Sequence, residues 1–379
     1  MSLPRVVVLR GQQVNPWDVR PWEDLRDEFE VSVPVLGSSG LFATDTVAVE
    51  RPPARALSDL APGPLRGIAA RAPINRYRGI DALLAGAAIV HAAELHTWFT
   101  AQAAAARRRL GFRLAVTVWE TIPFLAAYRH PLARRNRAAT LEATDHFLAT
   151  TERARDALLL EGVAPERVEV CGPGVDVERF SAARATPSEH VVVSPGRLVW
   201  EKGHQDVLRA VAALRHGLVD GRHYDVRALV VGSGPEEQRL RRHAGELGIG
   251  GAAELRPNVP YADMPDVYAS ASAMVLASLP TPSWEEQFGM VLAEALASGL
   301  PIVASRSGAI PEATDDAAAY VEPGGWMEIA RALANGPLQR PPGERVAHPP
   351  ELVERWSSRA AAQRLRDAYR RLLAGPSRA

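Results

Sequence analysis

Short runs of β-branched and other apolar residues alternate along this chain with stretches whose apolar positions recur every three to four residues. The first pattern predicts buried strands and the second amphipathic helices. In the first half, strands are expected at 5–9, 31–35, 87–90, 113–118, 146–149 and 168–170, with helices such as 98–110 and 151–161 between them. The second half repeats the rhythm, with strands at 191–194, 226–231, 252–256, 273–276, 301–304 and 319–321. Its helices are expected at 204–215, 236–247, 264–269 and 290–298, and a final helix at 351–373. Strand and helix in strict alternation mark a parallel βαβ architecture.

Two breaks interrupt the rhythm. FSAARATPS at 180–188 is small and polar with a proline and reads as a linker. A Pro/Gly-rich stretch at 337–350 precedes the final helix, and 51–77, rich in Pro, Gly and Arg, is the least regular part. The expected organisation is an α/β chain of two Rossmann-like, doubly wound parallel-sheet domains, 1–180 and 189–350, facing a central cleft. Residues 351–379 are expected to pack back across the domain junction. Ligands of such sheets bind beyond the carboxyl ends of the strands.

Composition narrows the class. At 379 residues the chain is too long for one core and suits two domains. Its formal net charge is zero, so bulk charge gives no reason to expect nucleic acid as a partner. The one cysteine, Cys171, fits a reducing compartment, and a cytoplasmic location is expected. The N-terminal apolar run is too short for a signal peptide, and no stretch has the roughly 20 apolar residues needed to span a bilayer. Lysine is the informative residue: one of the 44 basic residues is lysine, Lys202, and the other 43 are arginines. An ammonium and a guanidinium are not equivalent ligands for phosphate.

Lys202 falls in SPGRLVWEKGHQDVLRA, 194–210. A strand ends there in a Pro-Gly turn, followed by Arg197, Lys202, Gly203 and a helix. Two cations and a helix N-terminus beyond a strand's carboxyl end suit an anion. The spacing is not a P-loop, because Glu201 stands where that motif needs glycine. A second cluster is PSWEEQFGMVLAEALASGLPIVAS, 282–305. Glu286 precedes Phe288, Gly289 and Met290, and Gly299 and Pro301 stop the helix that follows. Glu294 sits among Leu292, Ala293, Ala295, Leu296 and Ala297, an expensive place for an unpaired carboxylate. Paired ribose hydroxyls would satisfy it.

Together, Arg197–x4–Lys202 and Glu286–x7–Glu294 within EQFGMVLAEALASGLPIVAS resemble the retaining glycosyltransferases of family 4. The likeness extends to VVGSGP at 230–235 and ASASAMVLASLPTPS, and is thinner in the N-terminal half, around 91–96 and 117–124. The resemblance implies the GT-B fold and a hexosyl transferase using a UDP- or GDP-linked sugar as co-substrate, without another cofactor. The N-terminal domain would bind the acceptor and the C-terminal domain the donor. Arg197 and Lys202 would clamp the donor diphosphate, and Glu286 would contact the sugar near its reacting carbon. The amides of Phe288, Gly289 and Met290 would hold hydroxyls or phosphate oxygens, and Glu294 the ribose. Gly232, Asn258 and Val259 would line the base.

Two departures from the family pattern stand out. The glycine-rich loop after the first strand is reduced to Arg10–Gly11–Gln12–Gln13, leaving Gly11 as its candidate donor ligand. The histidine that relatives often carry after the fourth strand is replaced by Trp119–Glu120. Glu120, His91 and His96 are the candidates to stand in for it, with Trp119 beside them. No Asp-x-Asp and no zinc spacing is present, so metal-independent catalysis is expected. The basic stretch 129–137 is either a solvated face or a contact for an anionic acceptor or lipid headgroups. Two alternatives fit the same residues: a nucleotide-sugar epimerase on the same fold, and a non-catalytic glycosyltransferase-like partner subunit. Donor identity, acceptor and oligomeric state are not legible.

Overall fold

A computed structural model of the chain describes residues 2–10, 16–34, 47–50, 61–62, 65, 69, 75–182, 187–257 and 259–375. The chain divides into two compact units: Met1–Gly174 joined by Ser358–Ala379, and Val175–Ser357.

The first unit holds a seven-stranded sheet of order β3-β2-β1-β4-β5-β6-β7. Its strands are β1 (Arg5–Leu9), β2 (Glu30–Pro34), β3 (Ala48–Glu50), β4 (Ile89–Ala93), β5 (Arg113–Val118), β6 (His146–Ala149) and β7 (Val168–Val170). All pair in parallel, with Val6 opposite both Val31 and Ile89. Alternation along β1 sends neighbours into opposite layers. Val7 and Leu9 join Leu84, Ala103 and Leu114 on one face. Val6 and Val8 join Trp22, Leu25 and Tyr369 on the other. A strand buried on both faces reads as the continuous apolar run RVVVL, as parallel sheets require.

The second unit repeats the plan with six parallel strands of order β10-β9-β8-β11-β12-β13. These are β8 (His190–Pro195), β9 (Val226–Val231), β10 (Ala253–Arg256), β11 (Ala273–Leu276), β12 (Ile302–Ser305) and β13 (Ala318–Val321). The helix His204–Arg215 lies on one face, burying Val207, Leu208, Val211 and Leu214 at helical spacing. Both sheets have the doubly wound strand order in which the chain leaves a central strand in opposite directions.

The end of the chain differs from the single helix expected there. Two helices, Pro350–Arg355 and Ser358–Ala374, are separated at Trp356 and Ser357. Trp356 is buried, its indole N–H donating to the Ala313 carbonyl at 2.9 Å, while its own carbonyl accepts from Val175 N–H at 2.8 Å instead of continuing the helix. The second helix belongs to the first unit, where Ala361, Ala362, Leu365, Ala368, Tyr369 and Leu372 form its buried stripe. Among the helices absent from the sequence reading are Pro131–Ala143, which carries most of the basic stretch, Trp326–Asn335, and the shorter Pro16–Glu23, Ile80–Leu84, Val177–Ala182 and Ile310–Thr314. Most of 51–77 lies outside the described residues.

Candidate active site

In the second unit, β8 pairs with β9 on one side and β11 on the other, so the loops leaving β8 and β11 flank the switch point of the sheet. Both predicted clusters are on these loops. Leu279 N–H donates to the Glu201 carbonyl at 2.7 Å, and a Cβ on Gly203 would stand 1.8 Å from the Ala277 carbonyl oxygen. Gly203 is therefore required by close approach as well as by its φ of 67°. The two glycines of VVGSGP have the same kind of role. A Cβ on Gly232 would meet the Gly196 carbonyl oxygen at 1.9 Å, and one on Gly234 the Leu198 carbonyl oxygen at 2.3 Å.

Lys202 and Glu286 meet across the two loops, Nζ to Oε2 at 2.6 Å, and Ser278 Oγ donates to the same oxygen at 2.7 Å. The ammonium also stands 5.2 Å from the centroid of Trp284. The backbone under Glu286 is fixed from a third loop. Ala309 N–H donates to the Glu286 carbonyl at 2.8 Å, and Gly308 approaches so closely that a Cβ there would lie 2.0 Å from the same oxygen. Arg197 is exposed, and its guanidinium has no partner among the described residues. Its carbonyl is held at 3.1 Å by His204 Nε2, whose Nδ1 lies 2.8 Å from Ser194 Oγ. A carbonyl only accepts, so Nε2 carries the proton and Ser194 donates to Nδ1. Burial pushes this imidazole down to about 4, keeping it neutral.

Glu294 is buried in the helix Met290–Ala297. Its oxygens accept from two tyrosine hydroxyls, Tyr261 at 2.8 Å and Tyr268 at 2.7 Å, which satisfy the carboxylate inside the protein. Burial pushes the carboxyl up to about 7, against the two tyrosine bonds and the Arg179 charge, which lower it. Arg179 lies over the rings of Phe180 and Tyr261, at 4.9 and 4.8 Å. Phe288 is a core side chain, edge-on to Trp356 at 4.6 Å, so only its backbone is available to a ligand. Gly289 caps the helix in the left-handed region at φ 79°, with half-buried Met290 following it. Val259 is half-buried, and Asn258 lies outside the described residues.

The first unit carries a second group at the carboxyl ends of β4 and β5. Glu94 has φ 63°, a backbone region that costs a non-glycine residue about 1–3 kcal/mol. Its Oε1 accepts from Trp119 N–H at 2.9 Å, and its Oε2 is buried with no hydrogen-bond partner among the described residues. Burial pushes this carboxyl up to about 7, and the Glu120 charge adds to the rise. Glu120 Oε1 accepts from the amides of Thr121 and Ile122, and Trp119 is half-buried. His96 is exposed, at the foot of the helix Trp98–Leu110. His91 is enclosed: Nδ1 lies 2.6 Å from Tyr369 Oη and Nε2 2.6 Å from Thr117 Oγ1. Both its ring nitrogens are committed within the protein. Gly11 lies outside the described residues.

Tyr261, Tyr268, Ser278 and Glu94 escaped the sequence reading. The tyrosines precede Glu294 by 33 and 26 residues, and nothing local to them signals that pairing. Glu94 did carry a signal, an acid directly after an apolar strand.

Comparison with known proteins follows this geometry. Two family models match consecutive stretches: Glycosyltransferase Family 4 at residues 24–179 and Glycosyl transferases group 1 at 176–338. The fold is GT-B. Sucrose-phosphate synthase from Thermosynechococcus elongatus superposes over 98% of this chain and 99% of its own, with a TM-score of 0.73 and 19% identity. Anabaena Alr3699/HepE, solved in complex with UDP and glucose, superposes over 96% of this chain and 99% of its own, at TM-score 0.71 and 16% identity. These likenesses concern the fold. In sequence, a D-inositol 3-phosphate glycosyltransferase of Segniliparus rotundus is 32% identical over 69% of this chain and 63% of its own length. One of Catenulispora acidiphila is 33% identical over 55% of this chain and 53% of its own. The chain thus spans between about half and two thirds of the length of these curated relatives. The chain belongs to the family 4 glycosyltransferases. No described helix is long and apolar enough to cross a membrane.

Proposed function

We propose that this chain transfers a hexose from a UDP- or GDP-linked donor to an acceptor hydroxyl with retention of anomeric configuration and without a metal ion. The observation that carries the reading is the Lys202–Glu286–Ser278 constellation at the switch point of the second unit. Lys202 and Arg197 hold the donor diphosphate and stabilise the charge that develops as the sugar leaves, the kind of preorganised electrostatic help that is usually the largest catalytic contribution. Glu286, oriented by Lys202, Ser278 and the Gly308–Ala309 backbone, takes the donor sugar's hydroxyls. The amides of Phe288, Gly289 and Met290 hold donor oxygens at the helix N-terminus. Glu294 takes the ribose hydroxyls with lone pairs that its two tyrosines leave over, and Gly232 and Val259 lie along the base. The first unit supplies the acceptor side. Cys171, buried as a free thiol, suits a cytoplasmic protein.

The test is a thermal-shift screen of UDP, GDP and their sugars in EDTA, followed by product NMR. A ligand of the folded state at a hundred times its Kd adds about 2.7 kcal/mol of stability. One nucleotide should shift the wild type and lose its effect in Lys202→Ala and Glu294→Ala. The product's anomeric proton should report retention. No shift with any nucleotide, in protein that melts cooperatively, would overturn the reading.

A further inference from the structure

The Pro/Gly-rich stretch 337–350 is built into the second unit by one short segment, 343–348. Half-buried Arg345 lays its guanidinium on the end of the helix Met264–Ala269. It donates to the carbonyls of Tyr268 at 3.1 Å, Ala269 at 2.6 Å and Ala271 at 2.8 Å. The last carbonyls of a helix have no partner within it, and a forked guanidinium reaches several of them at once. Gly343 N–H adds a bond to Ser272 Oγ at 3.1 Å, just beyond the same helix.

The next residues fasten a second helix. Val346 N–H donates to the Gly299 carbonyl at 2.9 Å and His348 Nε2 to the Leu300 carbonyl at 2.8 Å, just past the end of the helix Met290–Ala297. These two helices carry Tyr268 and Glu294, whose buried side chains meet at 2.7 Å. A single strap therefore ties down both backbones on which that bond depends. Hydrogen bonds weaken steeply with misalignment, so the strap bears on how Glu294 is held.

We propose that Arg345 is a positioning residue for the donor's ribose: by closing the end of the helix Met264–Ala269 it sets Tyr268 against Glu294, while Val346 and His348 hold the helix of Glu294 in register. This rests on the transferase reading above, in which Glu294 takes the ribose hydroxyls. Arg345 acts through Tyr268, as the supporting groups around a binding residue do.

The test uses the full chain and calorimetry with UDP, GDP and their dideoxyribose analogues, below the melting temperature of every variant. Wild type should prefer a ribonucleotide over its dideoxy analogue by about tenfold or more, the scale of a charge-assisted hydrogen bond. Arg345→Gln should weaken the ribonucleotide about tenfold and leave the dideoxy form within about twofold, so the preference collapses. Tyr268→Phe should do the same. The double variant should be weaker than either single one by no more than about twofold, where independent sites would multiply to about a hundredfold. Tyr268, Tyr261 and the Arg179 charge all lower the Glu294 carboxyl. Loosening Tyr268 should therefore move the pH at which nucleotide binding tightens upward in both single variants. If Arg345→Gln does not fold, Arg345→Lys, which keeps the charge and loses the fork, takes its place in the cycle. Equal weakening of both nucleotide forms, an unchanged preference, an unmoved pH profile or multiplicative losses each overturn the proposal. So does a wild type indifferent to the ribose hydroxyls, and in all these outcomes nucleotide binding leaves the transferase reading standing. A wild type that binds neither UDP nor GDP overturns both.

Discussion

Lys202 and Glu286 are 84 residues apart in the chain, and their side chains meet at 2.6 Å with little exposure to water. This one contact ties the loop after β8 to the loop after β11 and sets the charge of the site. On the proposed donor site, a phosphate arriving at Lys202 would share the ammonium with a carboxylate that is itself held by Ser278, and nucleotide binding and the position of Glu286 would then be linked.

That linkage separates the two variants. Lys202→Ala leaves Glu286 buried without its counter-ion, a situation that costs roughly 3–5 kcal/mol when a buried pair is broken. It should lower the melting temperature and abolish the nucleotide-dependent shift. Glu286→Gln keeps the shape and the Ser278 bond, so nucleotide affinity should stay within about threefold while transfer falls by roughly a hundredfold or more, the scale of a lost electrostatic contact in the transition state. Equal loss of binding in both variants, measured by calorimetry, would deny Glu286 a separate role.

Glu294 predicts a pH dependence. Its carboxyl titrates near 7 when folded, against 4.5 for the ordinary group, so the folded protein holds an extra proton between those values. Its contribution to stability is therefore full below about 4.5 and is lost as pH rises toward 7. Ribose hydroxyls donating to the ionised form would favour proton release. Nucleotide affinity should then tighten from pH 6 to 8, and Glu294→Gln should flatten that slope. Tyr268→Phe removes a buried donor and should cost about 1–3 kcal/mol of stability in a denaturant melt.

Much of this fold was legible because periodicity is a local signal. β1, β5, β6, β7, β9 and β11 fall at the predicted residues, as do the helices Trp98–Leu110, His204–Arg215 and Met264–Ala269. What failed was non-local. At the break the Trp356 carbonyl bonds to Val175 N–H, far away in the chain, while apolar positions recur on both sides of it. β4 sits further along than the expected 87–90, at Ile89–Ala93, because HAA carries the strand past its β-branched residues. The burial of Glu294 was readable from its neighbours. Its tyrosine partners were not, and hydroxyls of a ligand stood in their place. Glu94 was passed over for nearby histidines, since a strained φ and an unpaired oxygen leave no mark in composition.

Gly308 tests how tightly the backbone under Glu286 is specified. At φ 54° it faces the Glu286 carbonyl oxygen, which an added Cβ would meet at 2.0 Å. That neighbour is backbone and cannot rotate aside. Gly308→Ala should therefore cost about 1–3 kcal/mol, the usual range for overpacking, and should displace Glu286 with it. Activity should fall further than stability alone accounts for. A variant with full activity and an unchanged melt would show that the loop has room to adjust.

His91 gives the first unit its own pH signature. Trp22 N–H donates to Tyr369 Oη at 2.8 Å; with Tyr369 donating to Nδ1 and Nε2–H to Thr117, the neutral imidazole completes the chain. Burial pushes His91 down to about 3, against 6.5 for the ordinary group, with the Arg10 charge adding to the effect. The unfolded chain thus binds the extra proton in this window. The stability that neutral His91 contributes is fully present above about 6.5 and is lost as pH falls toward 3, at up to about 1.4 kcal/mol per pH unit. His91→Gln should flatten this limb of the stability curve. Tyr369→Phe strips the hydroxyl from two buried partners at once, Trp22 and His91, and should cost about 1–3 kcal/mol. Because Tyr369 is on the terminal helix, the loss should appear first as faster amide exchange in Ser358–Ala374, and uniform exchange across the first unit would show that this helix is not separately anchored.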